Sequence, residues 1–185
     1  MRLLLSLLVA AAAACGQVGI SEFLQPQGLK MEVVEYKGRK AMQFTEQAGE
    51  QVDGHLCLLK GETLRDGVID LWLAGEPGAG ASTGARGFVG IAFRVKGTGE
   101  KYEAFYLRPT NGRALDQVRR NHSAQYISHP DHHWQRLRKE FPEKYESYVD
   151  LQPGEWTHVK VTVKGRTAQL YVHGAEQPTV IVNDL

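Results

Sequence analysis

Hydrophobic and polar residues alternate along most of the chain with a period of two, the spacing of β-strands that bury one face. Glycine-containing turns such as Lys37-Gly38-Arg39 separate these stretches, and no long segment has helical spacing. Many short strands joined by turns predict an all-β fold, an antiparallel β-sandwich. Short helices at most are predicted at Arg113–Arg120 and Trp134–Phe141. Strands are predicted at Met31–Glu35, Lys40–Phe44, His55–Lys60, Gly67–Ala74, Phe88–Lys96, Lys101–Arg108, Trp156–Lys164, Thr167–His173 and Pro178–Val182.

The alternation also assigns strand faces, because residues two apart lie on the same side of a strand. Apolar residues at alternate positions of Phe88–Lys96 are expected to face the core, which turns Arg94 outward. The same parity turns Trp72, Tyr106 and Arg108 outward. If their strands share one sheet, these four residues line a single polar and aromatic face.

The segment Tyr102–Tyr148 interrupts this plain pattern. It contains eight of the sixteen aromatic residues and four of the seven histidines, and six of the twelve arginines lie between Arg108 and Arg138. Arg and Tyr provide rigid contact area with directional hydrogen bonds. After its first strand the segment is predicted to be one long polar insertion, which either borders a binding site on the outward face or covers it.

The N-terminus has the pattern of a secretory leader. Arg2 precedes the apolar run Leu3–Ala14, which is too short to span a bilayer. The alanines before Cys15 resemble a lipobox, which predicts lipidation of Cys15 and an outer-membrane or periplasmic lipoprotein. Ordinary cleavage near the alanines, with secretion of the protein, is the alternative. Cys57, the second of the two cysteines, lies in an apolar run and is predicted to be a core residue.

The length of 185 residues and the composition predict one domain after this leader. Residues 1–15 are the leader, 16–28 a linker and 29–185 the sandwich. The formal net charge of +1 gives no reason to expect nucleic acid as a partner. The membrane is expected to be a partner only through the lipid anchor, and the sequence does not predict an oligomeric state.

Three motifs resemble the concanavalin A-like lectin/glucanase superfamily: Gly87–Arg94, Tyr102–Pro109 and Glu155–Thr157. The resemblance covers about Lys30 to Leu185. It is in particular to the bacterial exported branch, related to laminin-G-like domains and to the domain of 3-keto-disaccharide hydrolases. It implies a jelly-roll sandwich, in a superfamily of lectins, hydrolases and adhesion modules. Chains of this kind usually continue beyond the position of Leu185, which raises the question whether the sandwich lacks its last strand.

A carbohydrate ligand fits the side-chain chemistry, because sugars present apolar C–H faces that stack on aromatic rings and hydroxyls that need fixed polar partners. The candidate stacking platforms are Trp72, Tyr106, Tyr126 and Trp134. The candidate hydrogen-bonding residues are Arg94, Arg108, Asn111, Asn121, His122 and Gln125.

Glycoside hydrolysis would need two carboxyl groups about 5–10 Å apart. The glucanases of the resembling superfamily carry Glu-x-Asp-x-x-Glu on one strand, whereas Asp70 stands here without a neighbouring Glu. Glu103 has core parity and would need a buried partner such as an arginine. The remaining candidates for a carboxylate pair are Glu103, Asp116, Asp131, Glu146 and Asp150, of which Glu103, Asp131 and Glu146 are retained as weak catalytic candidates.

The candidate residues for a metal site are His129, Asp131, His132 and His133, because His and Asp are ligand types. Their spacing matches no helix-borne zinc motif and Pro130 marks a loop, so a His-rich surface turn is the prediction. No cofactor is predicted, and calcium has no support in the sequence.

Together these features favour a carbohydrate-binding, lectin-like envelope protein that recognises a glycan on the concave sheet face. One alternative is a glycoside hydrolase of the 3-keto-disaccharide type. The other is a non-catalytic protein-adhesion module.

Overall fold

The computed structural model describes residues 2–6, 20–46, 54–61 and 63–184. Cys15 and the start of the predicted linker lie outside these ranges. The described residues form thirteen strands and two short α-helices, with single 3-10 turns at Ile20–Phe23 and Pro109–Asn111.

Both helices are short, and the strands differ widely in length. The helices are α1 (Gln117–Asn121) and α2 (Trp134–Glu140). The strands are β1 (Arg2–Ser6), β2 (Leu24–Pro26), β3 (Leu29–Tyr36), β4 (Arg39–Glu46), β5 (Cys57–Leu59), β6 (Gly67–Glu76), β7 (Val89–Lys96), β8 (Lys101–Leu107), β9 (Ala124–His129), β10 (Glu146–Ser147), β11 (Thr157–Lys164), β12 (Thr167–Val172) and β13 (Val180–Val182).

Two antiparallel sheets face each other across one core, which confirms the predicted all-β sandwich. The described strands form a seven-stranded sheet in the order β13-β12-β11-β6-β1-β4-β3 and a four-stranded sheet in the order β10-β9-β8-β7. A separate pair joins β2 to β5. Leu73 and Val161 of the larger sheet belong to the same buried cluster as Phe105 and Leu107 of the smaller one.

Alternation predicted the core faces of the main strands. Val159, Val161 and Val163 of β11 are all buried, and the residues between them are not. The pattern ends in β7 at Arg94, whose φ of 54° accompanies a register shift between β7 and β8. The bulge turns this end of the strand away from regular pairing.

The prediction of one long polar insertion was wrong in part. Ala124–His129 forms β9, which pairs with β8 on one side and β10 on the other. Ala124 and Tyr126 face the core, and the polar Gln125 lies between them. An alanine and a tyrosine at the inward positions give only a weak alternation of apolar and polar residues, so the sequence pattern did not reveal the strand.

The N-terminal residues also contribute more to the sheet than the leader pattern predicts. Arg2–Ser6 forms β1, between β4 and β6, and Leu24–Pro26 of the predicted linker pairs with β5. Within the described ranges, no helix is long and apolar enough to cross a membrane.

The hairpin β3–β4 covers a second, smaller core cluster of Leu29, Met42 and Phe44. Cys57 is half-buried and packs against this cluster, in agreement with its predicted core role. Burial raises the pKa of the Cys57 thiol to about 11, which keeps it protonated at neutral pH.

Candidate functional site

A row of opposed residues crosses the outer face of the four-stranded sheet. Gly90 of β7 lies opposite Tyr106 of β8, Tyr106 opposite Gln125 of β9, and Gln125 opposite Glu146 of β10. Gly90 leaves room for this row, since a Cβ there would lie 2.3 Å from the carbonyl oxygen of Phe105 and 2.6 Å from Cβ of Tyr106. The row is therefore continuous from one edge strand to the other.

Arg108 extends over this row from the end of β8, where its backbone N–H donates to the carbonyl oxygen of Ser123. Its side chain is buried, with 5% of the residue exposed. Nη1 donates to the carbonyl oxygen of His122 (3.0 Å) and to Oε1 of Gln125 (3.3 Å). Nη2 donates to Oη of Tyr106 (2.9 Å) and also to Gln125. Burial lowers the pKa of the guanidinium, whose acceptors among the described residues are all neutral.

Aromatic rings flank this guanidinium. Its carbon lies 5.9 Å from the ring centroid of Phe88, 5.8 Å from that of Trp134 and 4.9 Å from that of Tyr106. Phe88 and Trp134 are each 37% exposed. Two half-exposed rings therefore stand at the surface beside a buried cation.

A carboxylate group closes one side of the site. Glu146 is buried and accepts hydrogen bonds from Nε (3.0 Å) and Nη2 (2.7 Å) of Arg138 in α2. The Arg138 guanidinium also lies 4.7 Å from the ring centroid of Trp134, one helical turn earlier. Nε2 of His122 is 3.3 Å from Glu146. Burial lowers the pKa of His122, the nearby arginines lower it further and Glu146 opposes them.

We refer to this group as the Arg108 cluster. The helix α2 borders it and is anchored by Leu137, which is buried in the main core. Its polar floor is covered, because Arg108 and Gln125 are buried, with 5% and 1% of each residue exposed. The insertion thus borders the cluster through α2, and the rings of Phe88 and Trp134 remain accessible to solvent. The Arg108 cluster comprises Phe88, Tyr106, Arg108, His122, Gln125, Trp134, Arg138 and Glu146.

Sequence reasoning missed Phe88 and Arg138. Phe88 lies two residues before Gly90, so strand parity would have placed it on the outer face. Arg138 lies four residues after Trp134, so it shares a helix face with that ring. Both signals were present in the sequence, but neither carried a motif.

Asn111 and Asn121 do not extend the accessible part of the cluster. Asn111 is buried, donates from Nδ2 to the carbonyl oxygen of His122 (3.0 Å) and accepts from Nε of Arg119 (3.0 Å). It holds the loop around Arg108 in place. Asn121 is exposed at the end of α1.

Three predicted ligand residues lie elsewhere, and for two of them, Trp72 and Arg94, the prediction of one face shared with Tyr106 and Arg108 was wrong. Trp72 belongs to β6 in the larger sheet, because that strand pairs with β11 and β1. Arg94 donates to backbone carbonyl groups of Arg65 and Gly165 at the bulged end of β7. Tyr126 faces the core and is 4% exposed.

Of the three catalytic candidates, Glu146 lies in the Arg108 cluster and the other two do not. Glu103 has core parity as predicted, but its partners are the hydroxyl groups of Tyr126 and Ser128 rather than an arginine. Asp131 is exposed in the turn before α2. Of the remaining acidic residues considered, Asp116 caps α1 and Asp150 pairs with Arg113 at the surface.

The His-rich turn is built from ring contacts. His129 stacks on Tyr102 with ring centroids 4.7 Å apart, and His133 meets His129 edge-on at 5.4 Å. His132 pairs with Ser128 through the backbone. In the part of the chain that the structure describes, no group of three or more His, Cys, Asp or Glu side chains is arranged to hold a metal ion.

A surface depression of about 380 Å³ lies apart from the Arg108 cluster and is bordered by Arg113, Asp150, Trp156 and His173. Arg113 donates from Nε (2.7 Å) and Nη2 (2.9 Å) to Asp150. Nε2 of His173 is 2.8 Å from the carbonyl oxygen of Asp150. Because these polar groups already bind one another, the depression is a weaker candidate than the Arg108 cluster.

The chain matches no protein-family model, and no curated protein or solved structure is significantly similar to it. The resemblance to concanavalin A-like proteins therefore stays a prediction. The class that the fold defines is the broader one of all-β antiparallel sandwiches.

Proposed function

We propose that this protein binds a carbohydrate at the aromatic edge of the Arg108 cluster. The observation that carries the proposal is the pair of half-exposed rings, Phe88 and Trp134, whose centroids lie 5.9 Å and 5.8 Å from the buried Arg108 guanidinium. A pyranose ring presents an apolar C–H face that stacks on such side chains. Exposed aromatic rings fixed over a polar floor are the usual composition of a small-molecule site.

Polar groups beside the rings would orient the sugar. The side chain of Arg138, beside Trp134, is 32% exposed and that of His122, beside Glu146, is 19% exposed, so both border solvent. The bidentate bond to Glu146 fixes the Arg138 guanidinium in one orientation, which lowers the entropy lost on binding. Hydroxyl groups of a sugar are suited to such fixed donors.

Binding is favoured over hydrolysis because the cluster offers one carboxylate rather than two. Glu146 is occupied by Arg138, and Glu103 lies on the core face of the same sheet. The two-carboxylate mechanism needs a second group across the bound sugar. An envelope location, with Cys15 as the lipid anchor, remains part of this proposal on the strength of the leader pattern alone.

The test is a screen of mono-, oligo- and polysaccharides by glycan array, followed by titration calorimetry. The Trp134→Ala and Phe88→Ala variants are expected to lose at least about tenfold in affinity for any saccharide that binds, since stacking contacts of aromatic rings contribute on the order of 1 kcal/mol or more. Trp72→Ala is the matched control, because Trp72 lies on the other sheet.

Two results would contradict the proposal. One is the absence of saccharide binding at millimolar concentration. The other is an equal loss of affinity in Trp72→Ala and Trp134→Ala. If Trp134→Ala instead abolishes association with a protein and no saccharide binds, the adhesion alternative replaces the glycan proposal.

A further inference from the structure

One inner strand of the seven-stranded sheet is drawn from the N-terminal segment. β1 lies between β4 and β6 and pairs antiparallel with both. Leu3 is in register with Phe44, and Leu5 is in register with Met42 and Leu73. The three partners are buried, with exposures of 1%, 6% and 1%. A strand between β4 and β6 is therefore expected to carry apolar residues two apart, opposite these buried partners.

The gap that β1 fills is one strand wide. Within the described sheet, β4 and β6 are separated by β1 and do not neighbour each other. Paired strands lie about 4.8 Å apart, so β4 and β6 stand roughly 10 Å apart. Without a strand between them, one row of backbone N–H and C=O groups on each would lose its partners.

The same strand joins two separate core clusters. The main core includes Leu71 and Leu73 of β6, whereas Met42 and Phe44 of β4 belong to the smaller cluster beneath the β3–β4 hairpin. β1 lies at the boundary between the two clusters. The hairpin is thereby linked to the rest of the larger sheet through β1.

The hairpin has a second attachment at its turn, which does not depend on β1. Oη of Tyr36 donates to the carbonyl oxygen of Gly154 (2.9 Å), and Nε1 of Trp156 donates to the carbonyl oxygen of Tyr36 (3.1 Å). Lys37 also pairs with Glu155. The hairpin turn is therefore held against the segment 154–156 by contacts that do not involve β1.

We propose that the slot between β4 and β6 is a strand-accepting site, and that it holds the segment Arg2–Ser6 as an exchangeable strand. In the unprocessed chain the occupant is this segment itself. Removal of the leader, as the sequence pattern predicts, empties the slot, and the same peptide then binds back from solution. The proposal does not depend on carbohydrate binding, which involves the other sheet.

The first experiment tests the register of the strand in the full chain. Leu4 lies opposite Gln43, and opposed Cα atoms of antiparallel strands are about 4.5–5.5 Å apart, within the range of disulfides. In a Cys15→Ser, Cys57→Ser background, Leu4→Cys with Gln43→Cys is expected to form a disulfide under mild oxidation. The control Leu5→Cys with Gln43→Cys, shifted by one residue, is expected to remain reduced. Equal cross-linking of both pairs, or of neither, would overturn the proposal.

The second experiment tests exchange. A protease site inserted after Cys15 allows the leader to be cut from the folded full chain, and a labelled peptide of residues 2–8 is then added. The peptide is expected to bind saturably and to be displaced by its unlabelled form. The same peptide with Leu3→Asp and Leu5→Asp is expected to bind at least about tenfold more weakly, because the register sets these two positions opposite the buried residues Phe44, Met42 and Leu73.

Hydrogen exchange provides the independent readout. After the cut leader is washed away, β3 and β4 are expected to exchange faster and β11 and β12 to keep their protection. Peptide binding should restore the slow exchange. Unchanged exchange in β3 and β4 would mean that β4 and β6 close on each other, and dimer formation on cutting would make a second copy the occupant. Either result would overturn the proposal.

Discussion

The two outer faces of the sandwich carry the same kinds of side chain in different surroundings. On the larger sheet, Arg39 lies 4.0 Å from the ring centroid of Trp72, and His158 lies 5.1 Å from that ring and 2.6 Å from Asp70. On the smaller sheet, the corresponding tryptophan, arginine, histidine and carboxylate belong to the Arg108 cluster. The difference is that Asp70 has a half-exposed side chain, whereas Glu146 is almost fully buried.

This contrast comes from the chain connections rather than from the residue types. On the smaller sheet, Arg138 of α2 binds the buried Glu146 of the edge strand β10, whereas Asp70, the carboxylate of the Trp72 group, is half-exposed on its strand. Burial removes water as a competing hydrogen-bond partner, so each polar group beneath α2 needs a fixed protein partner. The same set of residues is therefore an organised site on one face and a surface contact on the other.

Removing the two arginines should separate the faces most strongly. Arg108→Ala would leave the buried Oε1 of Gln125 without its donor, and we expect a loss of about 3 kcal/mol in the free energy of unfolding. Arg39→Ala removes an arginine–ring contact outside the buried floor and should cost at most about 1 kcal/mol. Urea denaturation of both variants measures the difference. Equal losses would show that burial does not distinguish the two faces.

A backbone variant provides a second, smaller effect on the same face. Gly90→Ala would place a Cβ within 2.3 Å of the Phe105 carbonyl oxygen, and the strands must shift to accept it. We expect a loss of about 2 kcal/mol. Gly84→Ala is the control, since its nearest contact would be at 3.6 Å from Oγ of Ser82. The prediction is wrong if thermal denaturation gives the two variants the same stability.

Sequence reasoning predicted the sandwich because each main strand buries one face. Such a strand alternates apolar and polar residues with a period of two, which is visible in the sequence. It also brought together Tyr106, Arg108, Gln125, His122 and Trp134, which are all members of the Arg108 cluster. Tyr126 was predicted to be a stacking platform because β9 was not recognised, and without the strand its parity was undefined.

Other errors depend on pairing, which a single strand does not encode. Trp72 and Tyr106 both turn outward from their strands, as parity predicts, but the strands belong to different sheets. Which sheet a strand joins is decided by contacts distant in sequence. The strand Arg2–Ser6 is a similar case, because an apolar leader and a buried strand have the same composition.

The smallest expected effect concerns pH and applies to His122 alone. Burial lowers the pKa of His122 below its ordinary value of 6.5, with Arg138 and Arg108 acting in the same direction and Glu146 and Glu143 against it. Between the lowered pKa and 6.5 the unfolded chain binds more protons than the folded one, so stability falls as the pH decreases through this range.

His122→Gln removes this contribution and leaves the other titrating groups in place. Urea denaturation from about pH 8 to about pH 5 should therefore show a smaller loss of stability on the acid side in His122→Gln than in the wild type. If the two proteins lose the same stability, or if His122→Gln loses more, Glu146 stabilises protonated His122 at least as much as burial opposes it. The polar floor would then be more hydrated than its burial indicates.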